Sequence, residues 1–333
     1  MVDKVFVTGV TGCLGASLVK RLVKEGFEVN ALVFPETTHP YLQDLKINIF
    51  EGDILNKKIL RKAMKGCSQV YHVAGIVSYM RKDFDKMMKV HVQGTKNILS
   101  VAKELKVKKA VYTSSTAAIG LPASPEEAQD ETAFWDNKFN SVGYMYSKML
   151  AEKEVLKACN KDLNAVIVNP TSFFGQGDIN MNEGELVKNI KAGKLGFALP
   201  GGNSVVSVDD TVEGHLLAMK KGKKGERYIL ANEFFPFIEL FNVIASELKV
   251  KKINKVLPKK SFYLLYPASK LLDFFSSIFG FPNKLTPQVV NFSFHFRYYN
   301  SDKARKELGW KPKQSFKQAI KKAVKFYEEN NLI

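Results

Sequence analysis

Lys4-Val5-Phe6-Val7-Thr8-Gly9-Val10-Thr11-Gly12-Cys13-Leu14-Gly15 is the stretch that decides the fold. A β-branched apolar run ends in three glycines spaced three apart, and a helical pattern over 14–24 follows at once. The first N–H groups of a helix have no partner inside it, so a strand, a glycine turn and a helix in this order make a cradle for an anion. Gly9 permits the tight turn, Gly12 lets a pyrophosphate approach the backbone, and Gly15 lets helix and strand pack closely. Thr11, Cys13 and Leu14 complete the loop. The spacing is G-x-x-G-x-x-G rather than G-x-G-x-x-G, so its reading rests on the strand before it and the helix after it.

Outward from this loop, strand-like runs at 28–33, 47–50, 69–73, 110–113 and 165–168 alternate with helical patterns at 83–105 and 141–158. That alternation marks βαβ units and a parallel sheet. The expected fold class is α/β, a doubly wound parallel sheet with a smaller mixed C-terminal lobe. Beyond Asn169 the pattern shortens and grows rich in Gly, Asn and aromatics, with helices near 183–192, 209–220, 237–248, 261–279 and 316–329. The expected division is a dinucleotide-binding domain over 1–170, joined by part of 205–235, and a substrate lobe over most of 171–333.

Composition narrows the function classes. A chain of 333 residues, 45% hydrophobic, can bury a large core. Its net charge of +17 comes from lysines that form no run of five and accompany no recognition motif, so nucleic acid is not an expected partner. A basic field can instead draw in an anionic cofactor or substrate. Cys13, Cys67 and Cys159 stand in no paired spacing, which leaves no metal site expected and favours a reducing, cytoplasmic setting. The start Met1-Val2-Asp3-Lys4 leads straight into an apolar run, where a cleaved signal is not expected. The apolar stretch 262–281 is interrupted by Pro267, Lys270 and Asp273, so it reads as amphipathic rather than membrane-spanning.

Tyr144-Met145-Tyr146-Ser147-Lys148 carries the candidate chemistry. Residues four apart share a helix face, so Tyr144 and Lys148 can meet one ligand. Bringing a phenol from a pKa near ~10 to ~7 takes about 4 kcal/mol. An ammonium ~4 Å away at an effective dielectric of ~20 supplies about that much. Spacing alone decides nothing, because Tyr266/Lys270 and Tyr299/Lys303 share it, and 12 tyrosines with 50 Lys+Arg give roughly two such pairs by chance. Position decides. Tyr144 follows a strand ending Thr113-Ser114-Ser115-Thr116, and ligands of open α/β sheets bind at the strands' carboxyl ends. Ser115 is the expected partner of a substrate oxygen, with Ser114 as substitute.

Other candidate cofactor contacts follow the later strands. Asp53, next to Ile54, can accept from an adenine amino group or cap a helix. Val73-Ala74-Gly75 offers small residues where a ribose would approach. The second strand ends Leu32-Val33-Phe34-Pro35, with neither a carboxylate for a ribose 2′-hydroxyl nor an arginine for a 2′-phosphate, so NAD and NADP both stay open.

Together with Gly94-Thr95-Lys96-Asn97, Asn169-Pro170-Thr171 and Val208-Asp209-Asp210, these residues make the chain resemble an extended short-chain dehydrogenase/reductase of the NAD-dependent epimerase/dehydratase superfamily. Gly175-Gln176-Gly177-Asp178, Gly214-His215-Leu216-Leu217-Ala218 and Ser301-Asp302-Lys303-Ala304-Arg305 are similar to the dihydroflavonol-4-reductase-like and 3β-hydroxysteroid dehydrogenase-like branch. The resemblance implies a Rossmann-type sheet and an NAD(P) cofactor that contacts Asn169 and Pro170 as well as the glycine loop. It also implies hydride transfer to or from a carbonyl or alcohol carbon, with Tyr144 as proton donor or acceptor, Lys148 assisting, Ser115 orienting the carbonyl, and a homodimer through the helices at 83–105 and 141–158. His91 replaces a frequent asparagine, Ser207 a frequent histidine, and Asn30 and Phe34 stand where NADP-using reductases carry arginines.

Ile76, Tyr79, Met80, Phe134, Trp135, Phe173, Phe174 and Phe197 are the candidate pocket residues, and they favour an apolar small-molecule substrate. Helix 262–281 then covers that pocket, rests on a membrane, or is an ordinary surface helix. A nucleotide-sugar epimerase or dehydratase with tightly bound NAD is the rival reading, for which Arg227 or Arg297 would hold a diphosphate. A dinucleotide sensor without turnover is a second rival, of a kind that commonly lacks the tyrosine/lysine pair.

Overall fold

The computed structural model describes residues 3–37, 40–122, 127–133, 135–136, 140, 142–281, 283 and 285–333. The first half runs β1 (Lys4–Thr8), α1 (Cys13–Lys24), β2 (Glu28–Val33), β3 (Asn48–Glu51), α2 (Lys57–Met64), β4 (Gln69–His72), α3 (Phe84–Met87), α4 (Thr95–Glu104), β5 (Lys109–Thr113), α5 (Gly143–Cys159) and β6 (Ala165–Pro170). The second half runs β7 (Ser172–Phe174), α6 (Gly184–Lys191), β8 (Gly202–Ser207), α7 (Val208–Lys221), β9 (Arg227–Leu230), β10 (Glu233–Pro236), α8 (Phe237–Glu247), α9 (Phe262–Phe279), α10 (Pro287–Ser293), β11 (Phe296–Arg297) and α11 (Phe316–Glu329).

Seven parallel strands form the main sheet in the order β3-β2-β1-β4-β5-β6-β9. Side chains alternate across a strand, so Val5 and Val7 of β1 join a core with Leu14, Leu18 and Leu22 of α1 and Val212 of α7. Phe6 points the other way, into a core with Leu60 of α2, Ile98 of α4 and Val155 of α5. Burial on both faces explains why these strands read as continuous apolar runs. The order reverses between β1 and β4, which opens a crevice at the carboxyl ends of both.

A second sheet is centred on β8, which pairs antiparallel with β10 on one side. On the other edge it pairs with β11 at Gly202 and Asn203 and with β7 at Val205 to Ser207. Phe174 and Val205 anchor its core with Ile244 of α8 and Phe316 of α11. The chain passes from β8 through α7 to β9, and so back to the main sheet.

Ser207 caps α7: its hydroxyl accepts from Asp210 N at 2.9 Å and donates to the Asp210 carboxylate at 2.7 Å. That carboxylate also accepts from Lys313 N and Gln314 N, tying the approach to α11 onto α7.

The single helix expected over 83–105 is interrupted. A 3₁₀ turn (Arg81–Asp83) and α3 lead into a π segment, Met88–Gly94, before α4. Such wide turns place an extra residue on the helix and recur at functional sites. Here they carry His91.

Candidate active site

The carboxyl ends of β1, β4, β5 and β6 and the edge formed by β7, β8 and β11 enclose a cavity of about 450 Å³. Gly9, Thr11, Gly12, Cys13, Leu14, Gly15, Val73, Gly75 and Pro170 line one end. Ser114, Ser115, Tyr144 and Lys148 line the middle, and Tyr79, Phe173, Glu183, Asn203, Phe292 and Arg297 line the far end. Of the residues expected at the cofactor, Asp53, Ile54, Ala74 and Asn169 do not line it.

Those four have local partners. Asp53 accepts from Leu55 N at 2.9 Å in a turn, while Asn56 caps α2. The Ile54 side chain presses where a Cβ on Gly94 would be, 2.4 Å from its Cδ1. Ala74 N donates to the Thr8 hydroxyl at 3.2 Å. The Asn169 amide donates to Ser115 O at 2.9 Å and to the Glu152 carboxylate at 2.6 Å, fixing the backbone that presents Ser115.

The glycine loop fits a dinucleotide phosphate. A Cβ on Gly9 would come within 2.6–2.8 Å of the Val73–Ala74 backbone, and one on Gly15 within 2.0 Å of Gly9 O, so both are bound by packing. One on Gly12 would meet only Gly9 O, at 3.5 Å, because this position faces the cavity. Gly12 is also the N-cap of α1, which has no side-chain cap and no acidic residue in its first turn, leaving the helix's positive end to an anion.

Tyr144 and Lys148 stand one turn apart on the buried face of α5. Burial raises the Tyr144 phenol above its ordinary value, Tyr79 adds to the rise, and the Ser115 hydroxyl beside it opposes. Helical spacing alone predicts that the Lys148 ammonium lowers that value. The ammonium instead donates to Thr113 O at 2.9 Å. Burial brings its own pKa down to about 8, with Glu152 opposing. Ser115 Oγ accepts from Ala117 N at 3.2 Å, which leaves its O–H free to donate.

His91 ties α5 to the loop after β4. Its Nε2 accepts from Ile76 N at 2.9 Å, so Nδ1 carries the proton and donates to Ser147 Oγ at 2.8 Å; Ser147 donates on to Tyr144 O at 3.0 Å. Burial and the nearby Lys148 charge keep this imidazole neutral.

The far end is more polar than the aromatic-rich sequence predicts. Ile76, Tyr79 and Phe173 line the cavity, whereas Phe174 is core, Phe197 is 46% exposed and Met80 caps the 3₁₀ turn. Trp135 packs beside Val142, Met145 and Phe292, and Phe134 lies outside the described residues. Arg297 rests near the rings of Phe237 and Phe292, at 5.8 and 5.6 Å. Burial raises the half-buried Glu183 to about 7; Ser172 opposes, Asp178 adds and Arg297 opposes. Arg227 serves elsewhere, donating to the carbonyls of Glu131 and Ala133 and to Glu152. Neither competing pair forms in the cavity: Tyr299 lines it but donates to Gly120 O, its partner Lys303 pairs with Glu226 outside, and Lys270 lies over the Tyr266 ring on α9.

Lys148 gives a pH test. A buried ammonium whose pKa falls from 10.5 to about 8 opposes folding below pH 8, and the opposition fades as pH rises toward 10.5, because the unfolded chain binds the proton more tightly. Relative to the parent, Lys148→Met should gain up to about 3 kcal/mol at pH 7, less its lost hydrogen bond to Thr113, and most of that difference should be gone by pH 10. Denaturant unfolding of both proteins at the two pH values checks it; a difference independent of pH would contradict the buried ammonium.

The model of the NAD dependent epimerase/dehydratase family matches residues 5–231. A Synechocystis sp. protein named, provisionally, a dihydroflavonol 4-reductase is 33% identical over 100% of this chain and 97% of its own length. Sterol demethylase protein B of Methylococcus capsulatus is 29% identical over 98% of this chain and 99% of its own. The crystal structure of gox2253 superposes with a TM-score of 0.86 at 32% identity, covering 98% of each chain. The UDP-glucose 4-epimerase of Thermotoga maritima, at a TM-score of 0.79, 18% identity and coverage of 98% and 99%, shares the fold.

Proposed function

The chain belongs to the NAD dependent epimerase/dehydratase family and is an NAD(P)-dependent oxidoreductase; on that premise we propose that it reduces a carbonyl on an apolar small molecule, with Tyr144 as proton donor. The observation that carries this is the convergence of Ser115, Tyr144 and Lys148 with the Gly9/Gly12/Gly15 cradle in one cavity. A bound nicotinamide supplies the hydride. The glycine loop, Val73, Gly75 and Pro170 would hold its dinucleotide.

The chain's own residues manage the proton. The Ser115 hydroxyl orients the substrate oxygen. Tyr144, held protonated by burial, is in the state a donor needs, and an alkoxide forming on the substrate is the stronger base. Lys148 aligns the site and, with its lowered pKa, can resupply the phenol's proton. Ile76, Tyr79, Phe173 and Phe292 receive the apolar body. In this reading the main sheet carries the dinucleotide and the lobe around β8 the substrate.

Two contacts belong to the same reading: a homodimer through the outward faces of α4 and α5, where Leu156 is exposed, and a peripheral membrane contact through 262–281. The reducing, cytoplasmic setting accords with three buried, unpaired cysteines.

A nucleotide-sugar epimerase is the second reading, favoured by the Arg297 guanidinium in the cavity wall. Turnover separates the two. Incubated with NADH or NADPH and a panel of apolar ketones, the purified chain should oxidise one cofactor per carbonyl reduced; tightly retained NAD, with interconversion of nucleotide sugars and no net oxidation, would favour the epimerase.

A further inference from the structure

Helix α9 is built inside out. Phe262, Leu265, Tyr266, Ser269, Asp273 and Ser276 recur at steps of three and four and form the face turned toward the protein, where Ser269 is fully buried. The remaining surface carries the larger apolar side chains: Tyr263 is 80% exposed, Leu264 75% and Phe279 72%, with Leu271, Phe274 and Ile278 exposed between them. An ordinary surface helix shows the opposite arrangement. A helix of 18 residues is about 27 Å long, so this is a large continuous apolar strip.

The chain that carries it is strongly basic. Residues 249–300 contain nine Lys and Arg and a single acid, Asp273, a net +8 of the chain's +17. Lys251, Lys252, Lys255, Lys259 and Lys260 are exposed on the approach to the helix, and Lys270 is exposed within it. A second copy of this face would oppose like charge to like charge, and it could cover only part of a helix exposed over most of its circumference. An acidic surface with a fluid apolar interior matches both features. Among the described residues no helix is long and apolar enough to cross a membrane, so a helix of this kind lies in the interface plane.

We propose that the outward face of α9, with its flanking lysines, seats the enzyme on a bilayer that carries anionic lipid. The proposal deepens the reading above by naming where an apolar carbonyl substrate comes from, and it rests on that reading only for its purpose. Position gives the link: Phe262 meets Phe294 at 5.3 Å at the end of α10. Phe292, in α10, packs edge-on against Tyr79 at 5.4 Å and lines the catalytic cavity. One layer of helix therefore separates the proposed lipid contact from the chamber.

The test is co-sedimentation of the full chain with vesicles of phosphatidylcholine alone and of phosphatidylcholine with one quarter phosphatidylglycerol. Binding to the anionic vesicles should be at least tenfold tighter than to the neutral ones and should weaken with added salt. Leu271→Asp/Phe275→Glu should lower it at least tenfold, and Lys259→Glu/Lys260→Glu should remove most of the preference for anionic lipid. These positions are exposed, so unchanged unfolding midpoints and dinucleotide affinity serve as controls and keep failure of this proposal distinct from failure of the oxidoreductase reading. No binding to anionic vesicles, or binding that the helix variant leaves intact, would overturn it. A helix variant that turns a dimer into a monomer without any vesicle binding would overturn it in favour of a second copy.

Discussion

Tyr144→Phe should lower kcat for carbonyl reduction by about 10³-fold, within the range of a lost general acid, while the affinity for the dinucleotide stays within a few fold. The ring itself is held by edge contacts with Tyr79 and His91, both at 5.9 Å, and phenylalanine preserves them. The substitution therefore removes one O–H and little else. Its effect belongs in kcat, because the phenol's bond to the reacting oxygen strengthens as negative charge develops there. Steady-state rates with a fluorescence titration of the dinucleotide separate the two quantities. Full activity would remove Tyr144 from the mechanism.

The second large effect lies in the glycine loop, where neighbouring positions should fail for different reasons. Gly15→Ala would drive a methyl to 2.0 Å from Gly9 O and 2.9 Å from Val10 Cα, against backbone that cannot turn aside. A loss of about 3 kcal/mol or more is expected, with misplacement of the whole loop. Gly12→Ala meets only one atom, at 3.5 Å, and should fold with a loss of about 1 kcal/mol for a poorer N-cap. Its methyl instead occupies the phosphate's place, so dinucleotide affinity should fall at least tenfold. Unfolding curves and binding titrations on both variants check this; a Gly12→Ala protein that binds normally would show that the dinucleotide does not lie over this loop.

Much of the N-terminal half was legible because it obeys short-range rules. The β1–loop–α1 unit reads directly from its apolar run, its glycines and the period change at Leu14, and β2 and β5 fall within a residue of their sequence reading. α2 was not legible, since it buries only Leu60, Ala63 and Met64 between charged residues. The π segment packs on α5, where His91 bonds to Ser147, and periodicity cannot register such a contact.

The far end of the cavity was the least legible part. Glu183, Phe292 and Arg297 stand in no motif, and they meet only because β11 and β7 share one edge of β8. Phe173 and Phe174 show the limit within a single strand: alternation sends the first to the cavity and the second to the core. Asp53 and Asn169 carry motif-like neighbours, and the contacts they make depend on the fold: one Asp53 carboxylate oxygen accepts within a turn and the Asn169 amide nitrogen donates to the Ser115 backbone. The sign of the Tyr144 shift also differs from its sequence reading, because burial and the pull of Thr113 O on Lys148 depend on the fold rather than on helical spacing.

Net hydride transfer to a carbonyl, with a proton from Tyr144, is most directly tested with a cofactor deuterated at C4 of the nicotinamide ring and an accepted ketone. One deuterium at the carbinol carbon per cofactor oxidised, with the label-transfer step slowed about 10³-fold in Tyr144→Phe, is the expected result. Product without deuterium, or unchanged label transfer in the variant, would contradict it.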